Sequence, residues 1–504
     1  MAAATRYVVT GEPQTSRPSA SLDAGQSSRR LKNWNPSSAE LNTLMQGSGS
    51  TIVRRARKLV QENCYASNAA EAWTSNLVGT GIRPSCTLED ADEKKMVQDL
   101  WAVWVTEADT TGATDFYGLQ LQVAHALFDA GEAFVRRRPR LLRDGLSVPL
   151  QLQVLEADHV DRTYTMPLPN GHQIRSGIEF DQIGRRTAYW MWRNHPGDAT
   201  LMSGNVRVRV PAQDVLHVFH AKRPGQIRGF PRIVPAMIPM HELDDYDDAE
   251  LARKKTTAML AAFVTSPEVE DAADDGNQIG EGDVDDAGVA TAEWEPATVM
   301  VLGDGQEVTI AQPSDVGGNY EAFQMRNLLR VASGVGLPYS QVTSDVSKAN
   351  YSNERAAQVQ LRRRMTPLQL TIIVHQIVRP VWRWFIADAV LAGALEGDVQ
   401  ELQRSVKFIL PKWEYVDPLK DRKAEQIAVQ ELWTSRSDVI ESEGKDPLEL
   451  DQRIAADQER EDRLGLRRGT AGATTVPEPD EDQDEPKDLE DDNEDQDSPQ
   501  REMA

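Results

Sequence analysis

The stretch PAMIPMHELDDYDDAELARKKTTAMLAAFV, residues 235–264, predicts one long helix with Pro239 in its first turn. Its roughly 25 helical residues would extend about 40 Å at 1.5 Å per residue, whereas the usual helix has about 11 to 12 residues. Acids cluster near its start and bases follow, the order that the helix dipole favours: Glu242, Asp244, Asp245, Asp247 and Asp248, then Arg253, Lys254 and Lys255. We interpret the stretch as a helical rod.

The residues that follow predict a small β insertion and a returning helix. Residues 268–286 hold nine acids and no base, and the strand-like segments ATVMVL and QEVTIA are separated by a turn at Gly303, Asp304 and Gly305. A second helix is predicted at about 320–333. Two helices that bracket a β insertion predict a hairpin that projects from the body of the protein.

The chain before the rod predicts an α+β body. Apolar residues at helical spacing predict three helices, at about 51–78, 89–108 and 117–130, the first ending at Gly79 and the last at Gly131. The pattern then changes to period two and predicts about six short strands between residues 132 and 220. EAFVRRR and VPLQLQVL are predicted to form a hairpin through RDG, SGIEFD and TAYWMWR flank QIGR, and VRVRVP with DVLHVF completes the run. The fold class is therefore α+β.

The chain after the second helix predicts more helices and then a tail. Helices are predicted at about 353–393, bent or broken near Pro367 and Pro380, and at 420–464. The apolar region 366–395 carries Gln, His, Arg, Asp and two prolines, so it lacks the roughly 18 clean apolar residues of a membrane span. The first thirty residues predict a mobile arm without a secretory signal, and the acidic residues after Gly469 predict a disordered tail.

The composition limits the classes of function. The 504 residues are 40% apolar and carry 55 bases against 79 acids, a formal net charge of -24. Half of that charge lies in residues 471–504, where 14 acids face 2 bases. Affinity for duplex DNA comes mainly from Lys and Arg, so a free DNA-binding protein is disfavoured, although a protein that guides DNA is not. Two cysteines, Cys64 and Cys86, exclude a disulfide framework and fit a reducing compartment.

No motif predicts catalysis, a cofactor or a metal. The one Gly-Lys pair, Gly444-Lys445, lacks the upstream glycine of a nucleotide-binding loop, and GTGIRP at 79–84 is better interpreted as a helix cap. No nucleophile elbow or set of nuclease carboxylates stands out. We therefore predict that the protein is not an enzyme.

Two histidine-containing segments carry residue types that bind metals. These are LHVFH, with Asp214, His217 and His220, and EADHVD, with Asp158, His159 and Asp161. Residues 217 and 220 of a strand face opposite sides, and no matching second cluster is evident, so ordinary structural roles are favoured. The acidic DGNQIGEGDVDD fails as a calcium loop because Ile279 stands where an oxygen ligand is needed.

Seven segments, in order, resemble the lambda-type family of bacteriophage portal proteins over about residues 27–465. They are RRARKLVQENCYASNAAEAWTSNLVGTGIRP, DFYGLQLQVAHALFDAGEAFVRRR, QLQVLEADHVD, DVLHVFHAKRPGQIRGFP, DYDDAELARKK, SKANYSNERAAQVQLRRRMTPLQ with the preceding SGVGLPYSQVTSDV, and DPLKDRKAEQIAVQELWTSRSDVIESEGKDP. Any one alone would be a weak match, whereas seven in order make chance a poor explanation. The rival classes, a packaging enzyme such as a terminase or nuclease and a non-viral ring or stalk scaffold, do not explain them.

The resemblance implies a ring of twelve subunits at one vertex of a phage head. DNA would be packaged through it by the terminase and later ejected, and the ring would dock the head-to-tail adaptor. Major capsid and scaffold proteins are further implied partners, and the locations are the virion and, during assembly, the host cytoplasm. The implied parts are an arm (1–33), wing (34–232), stem helices (233–264 and 316–336), clip (265–315), tunnel loop (337–352), wing and crown helices (353–416), crown (417–468) and tail (469–504).

The same resemblance suggests three groups of site residues. Lys348, Asn350 and Tyr351 of the tunnel loop are candidates for transient DNA contacts, while a turn with Ser352 or Asn353 capping the next helix is an equally good interpretation. Arg362, Arg363 and Arg364 would contact DNA or, as we favour for a closed ring, the adjacent subunit. Six clip acids would dock the terminase or adaptor unless they form a solvated loop: Glu268, Asp271, Asp274, Asp275, Glu281 and Asp283.

Overall fold

The computed structural model describes residues 36–200, 205–258, 262–265, 307–310, 320–347, 350–415 and 417–466. The chain divides into two units, Met1–Lys445 and Asp446–Ala504. The predicted arm at 1–33, the six clip acids, ATVMVL, Lys348 and the acidic tail at 469–504 lie outside the described residues.

The α-helices of the described residues are numbered in chain order. They are α1 Leu41–Glu62, α2 Cys64–Val78, α3 Ala91–Glu107, α4 Phe116–Asp129, α5 Val234–Ala258, α6 Tyr320–Val335, α7 Tyr339–Thr343, α8 Tyr351–Leu368, α9 Arg379–Leu391, α10 Val399–Arg404, α11 Pro418–Gln430, α12 Arg436–Ser442 and α13 Pro447–Leu464. The helix α13 belongs to the second unit and the others to the first.

The β-strands are numbered in the same way and form four antiparallel sheets. They are β1 Arg83–Cys86, β2 Glu132–Pro139, β3 Leu150–Glu156, β4 Met166–Pro167, β5 Gln173–Arg175, β6 Ile178–Phe180, β7 Arg186–Trp192, β8 Arg207–Pro211, β9 Val215–Phe219, β10 Ala262–Thr265, β11 Glu307–Ile310 and β12 Val406–Ile409. The sheet orders are β1-β12, β10-β11, β3-β2-β9 and β4-β5-β6-β7-β8. Helices and antiparallel sheets together confirm the α+β prediction.

An aromatic cluster forms the centre of the main helical core. Trp101 lies within 5.5 Å, centroid to centroid, of four other rings, those of Trp104, Phe116, Trp382 and Phe385. The indole N–H of Trp104 donates to the carbonyl of Leu150 at 2.8 Å, so this buried polar atom is satisfied. The cluster joins α3 and α4 to α9, which lies about 280 residues later in the chain.

The first predicted helix is two helices in the structure. Periodicity predicted one helix over 51–78, whereas α1 ends at Glu62 and α2 begins at Cys64. Asn63 between them is extended, and its side chain accepts a hydrogen bond from the N–H of Ala66 at 2.8 Å. Asparagine is a strong N-cap, so it starts a new helix at a position that the apolar pattern treats as an ordinary polar site. The predicted end at Gly79 is confirmed, since Gly79 caps α2 with a φ of +55°.

The body holds two β-sheets with a small core of their own. Buried side chains from both sheets, including Phe134, Ile178, Tyr189 and Val210, form this core. The predicted β2-β3 hairpin and the β6-β7 pair are confirmed. About six strands are predicted between residues 132 and 220, whereas the described residues of this stretch form eight. VRVRVP and DVLHVF also belong to different sheets, since β8 pairs with β7 and β9 pairs with β2.

The helix predicted at 353–393 is interrupted where its prolines indicated. Residues Gln369–Val378 form a π-helical segment between α8 and α9. Pro367 lies two residues before this segment and Pro380 two residues after it, and each removes one backbone donor from the helix. The segment is buried at Ile372, Ile373 and Ile377. No helix in the described ranges is long and apolar enough to cross a membrane.

The long helix α5 is shorter at its C-terminus than predicted. It ends at Ala258, and residues 262–265 form the strand β10 rather than a last helical turn. QEVTIA is confirmed as a strand. Its partner is β10, with Ala262 opposite Ile310, whereas the predicted partner ATVMVL lies outside the described residues. Pro239 lies inside α5, and Pro235 occupies the first turn instead.

The predicted helical stretch 420–464 is three helices, α11, α12 and α13. In the first unit, Tyr415 links α11 and α12, since its hydroxyl lies 2.8 Å from the carboxylate of Glu425 and 2.7 Å from that of Glu443. Arg422 also pairs with Glu443, at 2.7 Å. The strand pair β1-β12 and the helices α7 and α10 were not predicted.

Candidate functional site

The helices α5 and α6 form an antiparallel hairpin. A methyl group placed on Gly334 of α6 would lie 3.4 Å from the Cβ of Ala236, near the start of α5. Further along α5, the ring of Tyr246 lies 4.7 Å from that of Phe323, near the start of α6. These two contacts confirm the predicted pairing of the two helices.

One carboxylate of α5 accepts hydrogen bonds from two side chains in the first turns of α6. Asp247 accepts hydrogen bonds from the hydroxyl of Tyr320 at 3.0 Å and from the side-chain amide of Gln324 at 2.6 Å. Loss of hydration, together with this bond to a carboxylate, raises the pKa of Tyr320 to about 12. Tyr320 therefore keeps its proton and remains a hydrogen-bond donor at neutral pH.

Two arginines hold the turn that follows α6. The Nε atom of Arg232 donates to the carbonyl of Val335 at 2.9 Å, and Nη1 of Arg364 approaches the carbonyl of Gly336 at 3.4 Å. Gly336 has a φ of +79°, and a Cβ there would lie 2.3 Å from Nη2 of Arg232. Glycine is required because it tolerates this backbone conformation and leaves room for the guanidinium group.

Asparagine side chains from α2 anchor the short helix α7. The Nδ2 atom of Asn68 donates to the carbonyls of Gln341 and Val342, both at 2.9 Å. Asn76, two turns along α2, donates to the side-chain oxygen of Gln341 at 3.0 Å. The end of α7 is therefore fixed to the helical core, just before the predicted DNA-contacting residues.

The start of α8 is fixed as well. The side chain of Asn350 accepts from the N–H of Asn353 at 2.8 Å, so Asn350 is the N-cap, whereas Ser352 or Asn353 was predicted. One turn into α8, Glu354 accepts from the hydroxyl of Ser340 at 3.1 Å, which ties α8 directly to α7. The connection 344–350 thus runs between two anchored ends. Lys348 and the side chain of Tyr351 are not described, so DNA contact by the predicted trio stays a prediction.

The three consecutive arginines of α8 have different surroundings. Arg362 donates to the carbonyl of Glu414, and its guanidinium carbon lies 5.7 Å from the ring centroid of Trp413. Arg364 faces Gly336 as described, and Arg363 is exposed. Arg362 and Arg364 therefore contact their own chain. Whether the run also reaches an adjacent subunit or DNA stays a prediction.

An open cleft of about 540 Å³, lined by both polar and apolar groups, lies beside α8. Its wall includes Glu354, Gln358 and Arg362 of α8 together with Lys412 and Glu414. Gln369 is fully buried there, and its Nε2 atom donates to the carbonyl of Asn76 at 3.2 Å. The cleft can offer both charges to a polar group but presents no pairing of a nucleophile with a base.

The segment weighed as a metal site is satisfied by an arginine. Arg57 of α1 lies 2.9 Å from Glu156 and 2.7 Å from Asp158. His195 lies 3.6 Å from Glu156, so Glu156, Asp158 and His195 could in principle bind a cation. The guanidinium group already pairs with both carboxylates, which supports the favoured structural role of this segment.

Sequence reasoning missed a buried ionic cluster around Glu132. This fully buried carboxylate accepts from Arg228 at 2.6 Å, Arg162 at 2.7 Å, the N–H of Gly229 at 2.7 Å and His217 at 2.9 Å. The cluster joins β2 and β9 to the loops that follow the strands. A glutamate at the start of the otherwise apolar EAFV was the available signal, because a charge in a buried strand needs partners.

Opposite effects set the pKa values in this cluster. Burial opposes the ionised form of Glu132, but Arg228 and Arg162, assisted by His217, hold the pKa of Glu132 well below its usual value. Burial lowers the pKa of His217 to about 4, although Glu132 favours its charged form. His217 is therefore neutral at pH 7 and donates to the carboxylate, a structural role that agrees with the interpretation favoured for LHVFH.

Comparison with known proteins identifies the class. The family described as phage portal protein, lambda family, matches residues 27–369. The chain is 27% identical over 457 residues to the probable portal protein of Halomonas phage phiHAP-1, with 86% of each chain covered. It is 22% identical over 366 residues to portal protein B of Escherichia phage lambda, with 65% of this chain and 67% of that protein covered.

A solved structure, the neck of a native gene transfer agent particle computed with C12 symmetry, is also similar. It shares 12% identity with a TM-score of 0.44, and the match covers 78% of this chain and 92% of that one. The sequence matches decide the assignment. The chain belongs to the lambda family of phage portal proteins, as the seven segments predicted.

Proposed function

We propose that this portal protein forms a ring of twelve copies at one vertex of the phage head. Double-stranded DNA passes through the axial channel into the head during packaging and out of it during ejection. The observation that carries this proposal is the family match over residues 27–369, which includes the hairpin α5-α6 and the anchored connection 344–350.

The charge of the chain suits a conduit. A channel lined by many cations would bind the duplex through counterion release and would resist its sliding. Half of the net charge of -24 lies in residues 471–504, and the rest of the chain is also acidic on balance, which supports passage of DNA with few attractive contacts. The few contacts are assigned to Lys348, Asn350 and Tyr351, next to two helices that the body holds in place.

The motor and the tail proteins are separate partners in this proposal. The chain acts as channel and docking platform and is not an enzyme, so ATP hydrolysis belongs to the terminase. The clip acids at 268–283 would meet the terminase during packaging and the head-to-tail adaptor afterwards. Major capsid and scaffold proteins would surround the ring, which assembles in the host cytoplasm and remains in the virion. The division into arm, wing, stem, clip, tunnel loop, crown and tail that the resemblance implies is part of this proposal.

Ring closure is the first test. Native mass spectrometry and negative-stain electron microscopy of the full-length chain should show a closed ring of about twelve copies with an axial hole that admits duplex DNA. Assembly would be tried at several salt concentrations, with and without the phage's scaffold protein. A chain that stays monomeric or dimeric in every one of these conditions contradicts the proposal.

A further inference from the structure

Four basic side chains lie close together where three segments of the chain meet. His220 and Lys222 follow β9, Arg232 lies two residues before α5, and Arg364 belongs to α8. A Cβ atom on Gly336, just after α6, would lie 2.3 Å from Nη2 of Arg232 and 3.5 Å from Nη1 of Arg364. The two guanidinium groups therefore approach within about 6 Å of each other. We call these four side chains the basic cluster.

No carboxylate of the described residues pairs with the basic cluster. None of its four side chains forms an ion pair in that part of the chain. Burial is the main cause that lowers the pKa values of His220, Lys222 and Arg232, and every further cause is a neighbouring cation of the cluster. Like charges at this separation repel one another, so an anion placed among them would stabilise the cluster.

The end of α6 accounts for part of this arrangement. The Nε atom of Arg232 donates to the carbonyl of Val335, and Nη1 of Arg364 approaches the carbonyl of Gly336. Cations are favourable at the C-terminal end of a helix, so both arginines have a structural role there. The side chains of the other two members form no hydrogen bond in the described ranges, so this role does not explain them.

The cluster keeps hydrogen-bond donors that a ligand can reach. Beyond Nε, the guanidinium N–H groups of Arg232 have no partner among the described residues and are open to solvent. Lys222 and Arg364 are exposed. Aromatic rings position two of the cations, since the guanidinium carbon of Arg232 lies 5.0 Å from the ring centroid of Trp73 and Nζ of Lys222 lies 5.6 Å from that of Phe230. Several donors are therefore in place before a ligand binds.

The chemistry of the cluster matches a phosphate group. A phosphate monoester carries about 1.5 to 2 negative charges at neutral pH and three acceptor oxygens around one atom. Guanidinium forks fit such oxygens in pairs, and a lysine adds a point charge. A carboxylate has one charge and two oxygens, so it would satisfy fewer of these donors.

We propose that the basic cluster is a binding site for a phosphate group, which is either a free phosphate anion or part of a DNA backbone. The site goes beyond the proposed function, because it belongs to one chain and does not depend on ring closure. A bound phosphate would link the segment before α5 to the end of α6 and to α8. The helices α6 and α8 lie on either side of α7 and the connection 344–350 in the chain, so the ligand would brace both sides of that connection.

The variant Lys222→Gln with Arg364→Gln tests the site. It removes two exposed cations and keeps Arg232, which bonds to the carbonyl of Val335, so the chain should fold as the wild type does. Calorimetric titration of the full-length wild type with pyrophosphate should show one site per chain. The affinity should fall at least about tenfold in the variant, because two charge-assisted contacts are lost.

A second titration separates the two sources of phosphate. A short fluorescent DNA duplex is added to the same proteins, and its anisotropy is measured. Pyrophosphate binding that is lost in the variant identifies a free anion as a ligand. Binding of the duplex alone, with the same loss in the variant, identifies the DNA backbone. Either result supports the proposal.

The control Lys95→Gln with Arg143→Gln removes the same number of exposed cations from α3 and from the turn between β2 and β3, and it should bind as the wild type does. The inference is wrong if the wild type binds neither probe, or if the control loses as much affinity as the cluster variant. Poly-glutamate that binds through Lys222 and Arg364 when neither probe does would also contradict it. These results do not require a ring, so they leave the proposed function standing, and failure of ring closure leaves the phosphate site standing.

Discussion

Glu132 shows how one buried residue can connect two strands to the loops that follow them. Its two oxygens collect two guanidinium groups, an imidazole and a backbone N–H, all in a buried setting. Removing one member of such a group leaves an unpaired buried charge, which typically costs about 3 to 5 kcal/mol. The cluster is therefore sensitive to any change in the charge of its members.

Acidification should weaken the fold through His217. In the unfolded chain this histidine is protonated near its ordinary pKa of about 6.5, whereas in the folded chain burial lowers its pKa to about 4. A lowered histidine pKa stabilises the fold fully above pH 6.5, and this stabilisation is lost as the pH falls to about 4. At 1.36 kcal/mol per pKa unit the loss is up to about 3 kcal/mol.

Urea unfolding at a series of pH values measures this loss. His217→Gln removes the titrating group and should flatten the decline between pH 6.5 and 4, while His241→Gln, on the exposed face of α5, serves as the matched control. Glu132 acts lower on the pH scale, because a carboxylate with a lowered pKa loses its contribution only as the pH falls below its unfolded value of about 4.3. An unchanged decline in His217→Gln would show that another group is responsible.

Single residues also show which features of the fold local sequence patterns do not predict. Periodicity placed the apolar positions of 51–78 correctly, but Asn63 acts through a hydrogen bond to Ala66 that no apolar pattern records. The start of α8 was predicted in the right segment, but its N-cap is Asn350 rather than Ser352 or Asn353. The partners of Glu132 lie at 162, 217 and 228, so their contact depends on tertiary structure rather than on local spacing.

At the scale of elements, local pattern predicted most helices and strands and missed those that depend on distant partners. The strand β1 pairs with β12, which lies over 300 residues later in the sequence. The apolar pattern of α5 continues through AFV and predicts helix at residues 262–265, whereas pairing with β11 makes them a strand. Intrinsic preference is weak in such short apolar segments, so tertiary contacts decide.

The anchoring of α7 by α2 leads to a prediction for the connection that follows. Asn68→Ala removes both hydrogen bonds to the last carbonyls of α7, with an expected cost of about 1 to 2 kcal/mol. Amide hydrogen exchange across 339–347 should accelerate, because the helix can then open locally. Asn327→Ala is the matched control, since that side chain bonds only to a carbonyl of its own helix, that of Phe323. Equal exchange in Asn68→Ala and the wild type would mean that other contacts hold α7.

At the scale of the whole molecule, the family assignment identifies a phage portal protein, and the acidic balance supports our proposal that it surrounds DNA without holding it. The prediction of this class from seven short segments is confirmed by the match over residues 27–369. DNA contact by Lys348, Asn350 and Tyr351 stays a prediction, since Lys348 lies outside the described residues.

Lys348→Glu tests the proposed DNA contact in the assembled protein. The substitution puts an acid where a cation would meet the phosphate backbone, so less DNA should be packaged, while ring closure stays as in the wild type. The measurement is nuclease-protected DNA per head in a packaging reaction with the cognate terminase and ATP. Lys95→Glu, an exposed reversal on α3, is the control. Packaging equal to the wild type would remove Lys348 from the proposed contacts.

The two anchors of the connection 344–350 also have a mechanical consequence. A span clamped at both ends passes tension to its supports rather than stretching freely. Here the supports are Asn68 in α2 on one side and the pair of Ser340 with Glu354 on the other. Drag from moving DNA on this short span would therefore be transmitted, in each of the twelve proposed copies, into the buried helical core to which α2 belongs.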